Sequence, residues 1–190
     1  FNSPLNHWDV SQVTNMESMF LVTGQFHQPL NSWNTGKVVI FSGMFNNAIV
    51  FDQDINSWNT SSATMMDSMF GFAPEFNKPL NSWDTSKVTT IASMFQNAAM
   101  FNQPLNNWNT GAVTTMQNTF AGAKAFNHPI GNWDMRKLTT MQGTCERAEA
   151  FNQPVNTWNF TSALYNLDST FKRALAFNQP VNNWNVGNVA

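Results

Sequence analysis

Apolar and polar residues follow one another along this chain in a pattern that repeats at a fixed interval. The segment Phe101–Trp108, of sequence FNQPLNNW, marks one interval, and its copies and variants begin at Phe1, Phe26, Phe51, Phe76, Phe126, Phe151 and Phe177. Six of the seven steps span 25 residues, and the step from Phe151 to Phe177 spans 26. Such a period is typical of stacked-repeat architectures. We therefore predict one solenoid over residues 1–190, with seven full repeats and a partial eighth, that forms part of a longer chain.

The first half of each repeat has the period of a strand. Numbered from the first Phe, position 5 is Leu, Ile or Val, position 8 is Trp in every repeat, and positions 7 and 9 are polar. This alternation predicts a short parallel strand around positions 7–10, with the tryptophans stacked in file. Pro at position 4 predicts a corner before the strand, because it cannot donate a ladder hydrogen bond. Asp54 replaces this Pro in the third repeat, so we expect the loosest corner there.

The second half of each repeat has a different period. Its apolar residues lie at positions 13, 16, 20 and 23, which in the fourth repeat are Val88, Ile91, Phe95 and Ala98. Steps of three and four place such residues on one face of a helix. The predicted fold is therefore an α/β repeat solenoid with one short parallel strand and one short helix in each 25-residue turn.

Composition and charge exclude several classes of function. Only 11% of the residues are charged, the net charge is -2, and the nine Lys and Arg are scattered, which argues against a nucleic-acid partner. No apolar run reaches the roughly 18 residues that a membrane span requires, so we predict no membrane insertion by this segment. The single cysteine, Cys145, stands where other repeats have Phe and is predicted to fill a buried slot.

No catalytic motif or converging ligand set is found in the sequence. The three His occupy three different repeat positions, and the acids at position 9 lie two or three repeats apart. Asp52 and Asp54 form the only close acidic pair at a corner. We therefore predict no enzyme, no catalytic residues, no metal site and no cofactor.

Asparagine is abundant at fixed repeat positions. At positions 2 and 6 we predict a stacked amide ladder that satisfies backbone groups one turn away. At position 9, which borders the predicted strand face, a ligand-binding role competes with this structural role. The candidate ligand-binding residues there are Asn34, Asn59, Asp84, Asn109, Asp134 and Asn159.

Two further features suggest local sites. The seventh repeat carries the extra residue near Ala163–Tyr165 and the basic pair Lys172–Arg173, so Tyr165, Lys172 and Arg173 are a candidate partner contact. Asn59 and Asn159 begin N-x-[S/T] sequons and are possible N-glycosylation sites if the protein is secreted.

The repeat F-N-Q-P-L-N-x-W-[ND]-[TV]-S-x-V-T-x-M-x-x-M-F-x-x-A closely resembles that of the BspA-like leucine-rich repeat surface proteins. The resemblance covers the whole chain, and residues 76–90 are a near-consensus copy. It implies a leucine-rich-repeat fold and a secreted or surface-anchored protein, with adhesion or matrix binding attributed to some members. It supplies no catalytic or ligand residues.

The sequence suggests two functions of different kinds, one in binding and one in structure. The first is a non-catalytic adhesion or recognition module, extracellular or at the cell surface, that binds a protein or glycan through its long polar face. The second is a structural scaffold subunit that stacks into a filament or docks within a larger complex. This hypothesis is suggested by the absence of polar capping sequences at either end. Without caps, the ends of the solenoid would contact neighbouring subunits.

Overall fold

Each repeat forms one layer of a stack, built almost entirely from tight turns. The computed structural model describes residues 1–161, 163–187 and 189. In each of the first six repeats, backbone N–H groups at positions 8, 13, 19, 21 and 23 donate to the carbonyl three residues earlier, as does the N–H of the next Phe. In the fourth repeat the first two of these bonds join Trp83 to Leu80 at 3.2 Å and Val88 to Thr85 at 2.9 Å.

Parallel pairing between layers is limited to isolated bridges. They join Asn15 to Ile40, Ile40 to Met65, Met65 to Thr90, Thr90 to Thr115, Thr115 to Thr140, and Thr140 to Asn166. Every bridge lies at position 15 of its repeat or at the equivalent Asn166. The strand predicted around positions 7–10 is therefore wrong, since the pairing lies in the second half of the repeat and no multi-residue strand occurs in the part of the chain that the structure describes.

The predicted helix is also wrong. Residues 1–161, 163–187 and 189 contain no helix, and the segment predicted to be helical instead carries the backbone ladder between layers. The N–H groups at positions 16, 18, 20 and 22 each donate to the carbonyl of position 15, 17, 19 or 21 in the next repeat. In the second repeat these donors are Phe41, Gly43, Phe45 and Asn47, with distances of 2.7–2.9 Å.

Two left-handed residues in every complete repeat explain why a helix does not form. Positions 18 and 22 have φ between 55° and 71° in all seven repeats, with the seventh offset by its extra residue. A right-handed helix requires negative φ, so two such residues four apart end any helical segment. Ser, Gly and Asn fill most of these positions and tolerate this backbone with little side-chain bulk. The bulky exceptions all stand at position 22 or its equivalent and are Val22, Phe72, Arg147 and Arg173.

These observations overturn the predicted leucine-rich-repeat-like α/β solenoid. The predicted architecture requires a short strand and a short helix in every turn, whereas the described residues form stacked layers of turns joined by single-residue bridges. Apolar spacing of three and four residues was the misleading signal. Consecutive turns closed by bonds between residues three apart bring side chains inward at the same spacing that a helix produces.

The core is a set of aromatic columns that run along the stack. Phe rings at position 1 stack on those of the next layer with centroids 5.7–6.1 Å apart. Phe rings at position 20 form a second column at 5.3–5.8 Å. Cys145 stands in this second column, is fully buried and is a free thiol, as its register predicts.

The tryptophans form the third column. Trp58 stacks on Trp33 and Trp83 with centroids 6.1 and 6.5 Å apart and rings within 7° of parallel, which confirms the predicted file. From Trp33 onwards, each indole Nε1 donates to the carbonyl of position 5 in the preceding repeat, at 2.9–3.3 Å. The indole therefore combines burial with a polar bond that fixes the offset between layers.

The amide ladder predicted at positions 2 and 6 is confirmed. The Oδ1 of Asn77 accepts from the backbone N–H of Asn102 at 2.9 Å, and Asn102 does the same for Asn127 at 3.0 Å. At position 6, the Oδ1 of Asn81 accepts from the backbone N–H of Asn107 at 3.1 Å. These side chains satisfy backbone donors of the next layer, so their recurrence has a structural cause.

The extra residue of the seventh repeat lies between two core positions. Phe160 fills position 10 and packs edge-on against Trp184 with centroids 5.2 Å apart, while Leu164 takes the place of position 13. The backbone N–H of Tyr165 then rejoins the ladder by donating to Thr139 at 3.0 Å. The backbone N–H of Leu164 still donates to the carbonyl three residues earlier, that of Thr161, at 3.3 Å, so this turn is kept and the stacking register resumes after the extra residue.

Removal of one inner tryptophan should destabilise the stack far more than removal of the first one. Trp108→Ala leaves a cavity between two layers and is expected to lower the free energy of unfolding by about 3–5 kcal/mol. Trp8→Ala is the matched control, because Trp8 is 47% exposed and its loss should cost less than about 2 kcal/mol. Guanidinium denaturation followed by circular dichroism measures both, and equal losses would contradict the stacked arrangement.

Val22→Gly should stabilise the protein although it removes an apolar side chain. Val22 has φ +58° and is 62% exposed, so glycine relieves backbone strain of roughly 1–2 kcal/mol while little packing is lost. Val39→Gly is the control, because Val39 is half-buried and is not among the positive-φ residues, and this change should destabilise. Thermal unfolding compares the two, and a lower melting temperature for Val22→Gly would refute the strain argument.

Candidate functional site

One side of the stack is lined by polar residues that are not needed for the core. We call the residues at positions 6, 7, 9 and 11 of repeats two to six the polar face. Its hydroxyl and amide side chains are exposed or half-buried, and the aromatic residue at position 8 lies beneath them. This face contains five of the six residues predicted to bind a ligand, and Asn159 continues it into the seventh repeat.

The predicted ligand residues at position 9 make local turns with their own backbone. The Oδ1 atoms accept from the N–H two residues later, as between Asn59 and Ser61 at 3.1 Å and between Asp84 and Ser86 at 2.9 Å. The same bond forms at Asn34, Asn109 and Asp134. Each side chain thus has a structural role in its own turn.

Backbone carbonyls at position 9 are bound by the layer before. The hydroxyl of Thr60 donates to the carbonyl of Asp84 at 3.0 Å, and that of Thr85 donates to Asn109 at 3.0 Å. These threonines are buried, and their hydroxyls have no water to bond to. The polar face is therefore held in register from beneath, which fixes the spacing of its exposed amides.

Asp134 is the most acidic group of this face. Its Oδ2 lies 2.7 Å from Nη2 of Arg136, and its Oδ1 accepts from Nε and the backbone N–H of that residue. These hydrogen bonds to Arg136, together with its positive charge, lower the pKa of Asp134 to about 2. Hydrogen bonds from Ser86 also lower the pKa of Asp84. Both carboxylates are charged at neutral pH.

A cleft opens in the polar face where Asp54 replaces the usual proline. It has a volume of about 460 Å³ and is lined by Asn31, Asp54, Asn56, Ser57, Trp58 and Ser82. The Oδ1 of Asp54 accepts from the N–H of Asn56 at 2.9 Å, whereas no partner is found for its Oδ2 among the described residues. Proline at this place would fill space with a ring and offer no polar atom. The loosest corner predicted from sequence is where this cleft lies.

The cleft combines acceptors and donors at short range. Asn56 donates from Nδ2 to the hydroxyl oxygen of Ser82 at 3.0 Å, so the hydroxyl hydrogen of Ser82 is free to donate. Ser57 donates to the carbonyl of Asn31 at 3.1 Å. A carboxylate oxygen beside a hydroxyl donor can bind the neighbouring hydroxyl groups of a polyol.

The structure does not group Tyr165 with the basic pair of the seventh repeat. Tyr165 is 58% exposed in the column of position 14, whereas Lys172 and Arg173 stand at the equivalents of positions 21 and 22. Lys172 Nζ lies 3.5 Å from Glu146, and Arg173 lines a cleft that does not include Tyr165. The three residues therefore do not line one cleft.

The two sequons both begin at exposed residues of the polar face. Asn59 uses its Oδ1 in the local turn with Ser61, and its Nδ2 lies beside Gly36 of the preceding layer. Asn159 is also exposed. Glycan attachment at either position stays a prediction.

The remaining candidates for metal or thiol chemistry are the acids at the third corner and Cys145. Asp52 pairs with Lys78 at 2.8 Å and accepts from the N–H of Asn77, so it is already satisfied. Within the described ranges no group of three or more His, Cys, Asp or Glu converges in a way that could hold a metal ion. Burial raises the pKa of the Cys145 thiol, which keeps it protonated.

Sequence reasoning missed the residues with positive φ and the edge they form. Positions 18 and 22 are Ser, Gly or Asn in ten of fourteen cases, which is an unusual composition for a helix interior. That bias was the available signal for turns. The expectation of a helix also left Arg147 out of the candidate residues. Arg147 stands at position 22, one layer before Arg173, and lines the same cleft as Arg173.

Comparison with known proteins supports one family. Residues 1–107 and 100–190 each match the family described as Mycoplasma protein of unknown function, DUF285. The chain belongs to this family. The two matches together span all eight copies of the repeat, so the 25-residue layer is part of what the family shares here. No curated protein matches the chain. In the part of the chain described by the structure, no helix is long and apolar enough to cross a membrane.

Loss of Arg136 should raise the pKa of Asp134 towards the ordinary value for aspartate. In Arg136→Gln the bidentate bond and the positive charge are removed, while the bond from the backbone N–H persists. Because the folded pKa is lowered to about 2, the ionised Asp134 adds stability at any pH above roughly 4, and this is lost as pH falls through 2.

Carboxyl NMR titration measures this change directly. The Asp134 signal should titrate near pH 2 in the parent protein and at higher pH in Arg136→Gln. Lys137→Gln is the control, because it removes one nearby positive charge. It should change the pKa of Asp134 only slightly, since Lys137 affects that pKa through its charge and not through a hydrogen bond. An unchanged Asp134 titration in Arg136→Gln would contradict the role assigned to Arg136.

Proposed function

We propose that this protein is a non-catalytic recognition module that binds glycan hydroxyl groups through its polar face. The observation that carries the proposal is the cleft of about 460 Å³ at Asp54, where an unpartnered carboxylate oxygen faces exposed amides and hydroxyls. Its volume falls within the range of about 300–1,000 Å³ typical of small-ligand sites. It accommodates one sugar ring.

The rigid register of the polar face also supports this proposal. Each layer repeats nearly the same amide and hydroxyl groups at a fixed spacing, because the buried threonines and the indole bonds fix the offset between layers. A preorganised face lowers the entropic cost of binding an extended polymer. Many weak hydroxyl contacts along several layers then add up through multivalency.

The proposed location is extracellular or at the cell surface. The repeat resembles that of the BspA-like surface proteins over the full chain, and that resemblance supports an adhesive role facing the exterior. A protein partner on the same face is the competing outcome. The face lacks exposed Trp and Tyr anchors at positions 7 and 9, which favours a polar saccharide over a tight protein interface.

Replacement of Asp54 by proline tests the site. Asp54→Pro restores the residue found in seven other repeats, so the layer should still fold while the cleft loses its carboxylate. On a glycan array we expect the parent protein to bind neutral glycans and Asp54→Pro to lose at least about tenfold in affinity, roughly the effect of losing one charged hydrogen bond.

Two variants separate the cause of that loss. Asp54→Asn keeps the space and one acceptor, so it should retain more binding than Asp54→Pro. Asp168→Asn removes the same charge at an exposed residue of position 17, away from the polar face, and should bind like the parent. A parent protein without glycan binding, or an Asp54→Pro variant that binds equally well, would refute the proposal.

A structural scaffold subunit is the second candidate. Phe1 and Trp8 are 66% and 47% exposed, whereas their equivalents in the inner layers are buried, so a further layer of the same kind, from this chain or from a neighbouring subunit, would cover them. Electron microscopy of the purified protein over a range of concentrations distinguishes the two candidates. Filaments or discrete assemblies would favour the scaffold, and single particles at all concentrations would count against it.

A further inference from the structure

The last three complete repeats place four cations along one edge of the stack. We call Lys124, Arg147, Lys172 and Arg173 the basic edge; they stand at positions 21, 22 and 24 or their equivalents in repeats five to seven. They are four of the nine Lys and Arg in a chain whose net charge is -2. Of the remaining five cations, three lie in repeats two and four, and two lie in repeat six at positions 11 and 12: Lys37, Lys78, Lys87, Arg136 and Lys137. Stacking therefore concentrates positive charge that the linear sequence leaves scattered.

Nearby acids neutralise this edge only in part. Lys124 pairs with Glu149 at 3.1 Å, and Glu146 lies 3.5 Å from Lys172 and 4.0 Å from Arg147. No ion pair is found for Arg173 among the described residues. Two carboxylates thus face four cations. These pairs are exposed and each contributes little to stability, so an incoming anion can replace them at low cost.

A cleft of about 420 Å³ lies between the cations. It is lined by Asn97, Gly122, Lys124, Arg147, Glu149, Arg173 and Leu175, and the Glu149 carboxylate is paired with Lys124. Gly122 has φ +71°, and the side-chain amide of Asn97 occupies the space where a β-carbon at this glycine would lie. A larger residue at position 122 would push the amide away. The glycine therefore keeps the Asn97 amide against the cleft wall.

The lining combines groups that suit an acidic sugar. Arginine guanidinium groups bind a carboxylate through paired N–H donors, and Arg147 and Arg173 belong to adjacent layers, which lie roughly 4.8 Å apart where backbones pair in parallel. Asn97 offers both a donor and an acceptor for hydroxyl groups. Leu175 is 79% exposed and supplies an apolar surface for the C–H face of a ring.

We propose that this cleft binds a hexuronic acid unit, with its carboxylate between Arg147 and Arg173 and its ring against Leu175. The proposal concerns a site separate from the Asp54 cleft and does not require neutral glycans to bind there. The apolar wall favours a ring-bearing ligand over a bare inorganic anion. The small volume favours a single sugar unit over a folded acidic protein.

The test uses the whole chain and defined small probes. Isothermal titration measures binding of D-glucuronate, D-glucose and acetate, at low and at raised salt. We expect glucuronate to bind, D-glucose and acetate to bind at least tenfold more weakly, and glucuronate affinity to fall as salt is raised. If D-glucose bound as tightly as glucuronate, the arginine charges would not account for binding. If acetate bound as tightly as glucuronate, the sugar ring would not contribute to binding.

Substitutions at the two arginines identify the site. Arg147→Asn combined with Arg173→Asn uses the residue found at position 22 in Asn47 and Asn97, so the left-handed backbone is tolerated. This double variant should weaken glucuronate binding at least tenfold. The control, Lys37→Ser combined with Lys87→Ser, removes equal charge at position 12, where Ser62 already occurs, and should bind like the parent. Equal binding by the arginine variant refutes the proposal.

Two further measurements keep the outcome decisive. If the arginine variant does not fold, amide chemical shifts of the parent protein report the site, and glucuronate must then perturb Gly122 and Arg147 while leaving Asn56 and Ser82 unchanged. A polyglutamate peptide that binds more tightly than glucuronate through the same arginines would overturn the sugar assignment in favour of an acidic peptide. Asp54→Pro should leave glucuronate binding intact, which separates this site from the one on the polar face.

Discussion

The hydrogen bonds between successive layers are the constraint on which the whole structure depends. At positions 16, 18, 20 and 22 the N–H groups point to the next layer, while those at positions 19, 21 and 23 bond within their own turn. A single repeat would leave the first set without partners, and unpaired buried donors are costly. The aromatic columns reinforce the same requirement, since each ring is buried only when the neighbouring layers are present. Layers of this kind are stable only as a stack.

The same constraint determines the chemistry of the surface. Because equivalent residues lie one above another, any residue type that recurs becomes a continuous row, and any departure becomes a local feature of that row. Asn at positions 2 and 6 forms an amide ladder, in which the Oδ1 atoms accept hydrogen bonds from backbone N–H groups of the next layer. Asp54, by contrast, interrupts a row of prolines and opens a cleft with a free carboxylate oxygen. Departures from the consensus are therefore the best places to look for function in such a protein.

The edge at positions 21 to 24 is a second part of the surface where the repeats differ from one another. Its left-handed residue at position 22 varies in chemistry from Val22 and Phe72 in the first half to Arg147 and Arg173 in the second. Residues at position 22 do not contribute to the aromatic columns, so they are free to differ between layers, unlike the buried alanines at position 23. The positive φ directs bulky side chains to an exposed edge, where exposed Val and Phe bring little stabilisation that would offset their strain.

The repeat, its register and its core could all be predicted from the order of the amino acids. Phe at position 1, Trp at position 8 and Phe at position 20 were readable as stacked and buried, as was Cys145 in the slot of a Phe, because burial follows directly from apolar recurrence. The amide ladder was readable for the same reason. The two family matches, over residues 1–107 and 100–190, together cover all the repeats that were read from the sequence.

The conformation of the backbone between those buried positions could not be predicted from the sequence. A helix and a run of tight turns both direct every third or fourth residue inwards, so the spacing of Val88, Ile91 and Phe95 could not distinguish them. What distinguishes them is the left-handed backbone at positions 18 and 22, which is stabilised by hydrogen bonds to the neighbouring layer. The clefts at Asp54 and Arg173 likewise depend on residues from adjacent layers, about 25 positions apart in the sequence, that only stacking brings together.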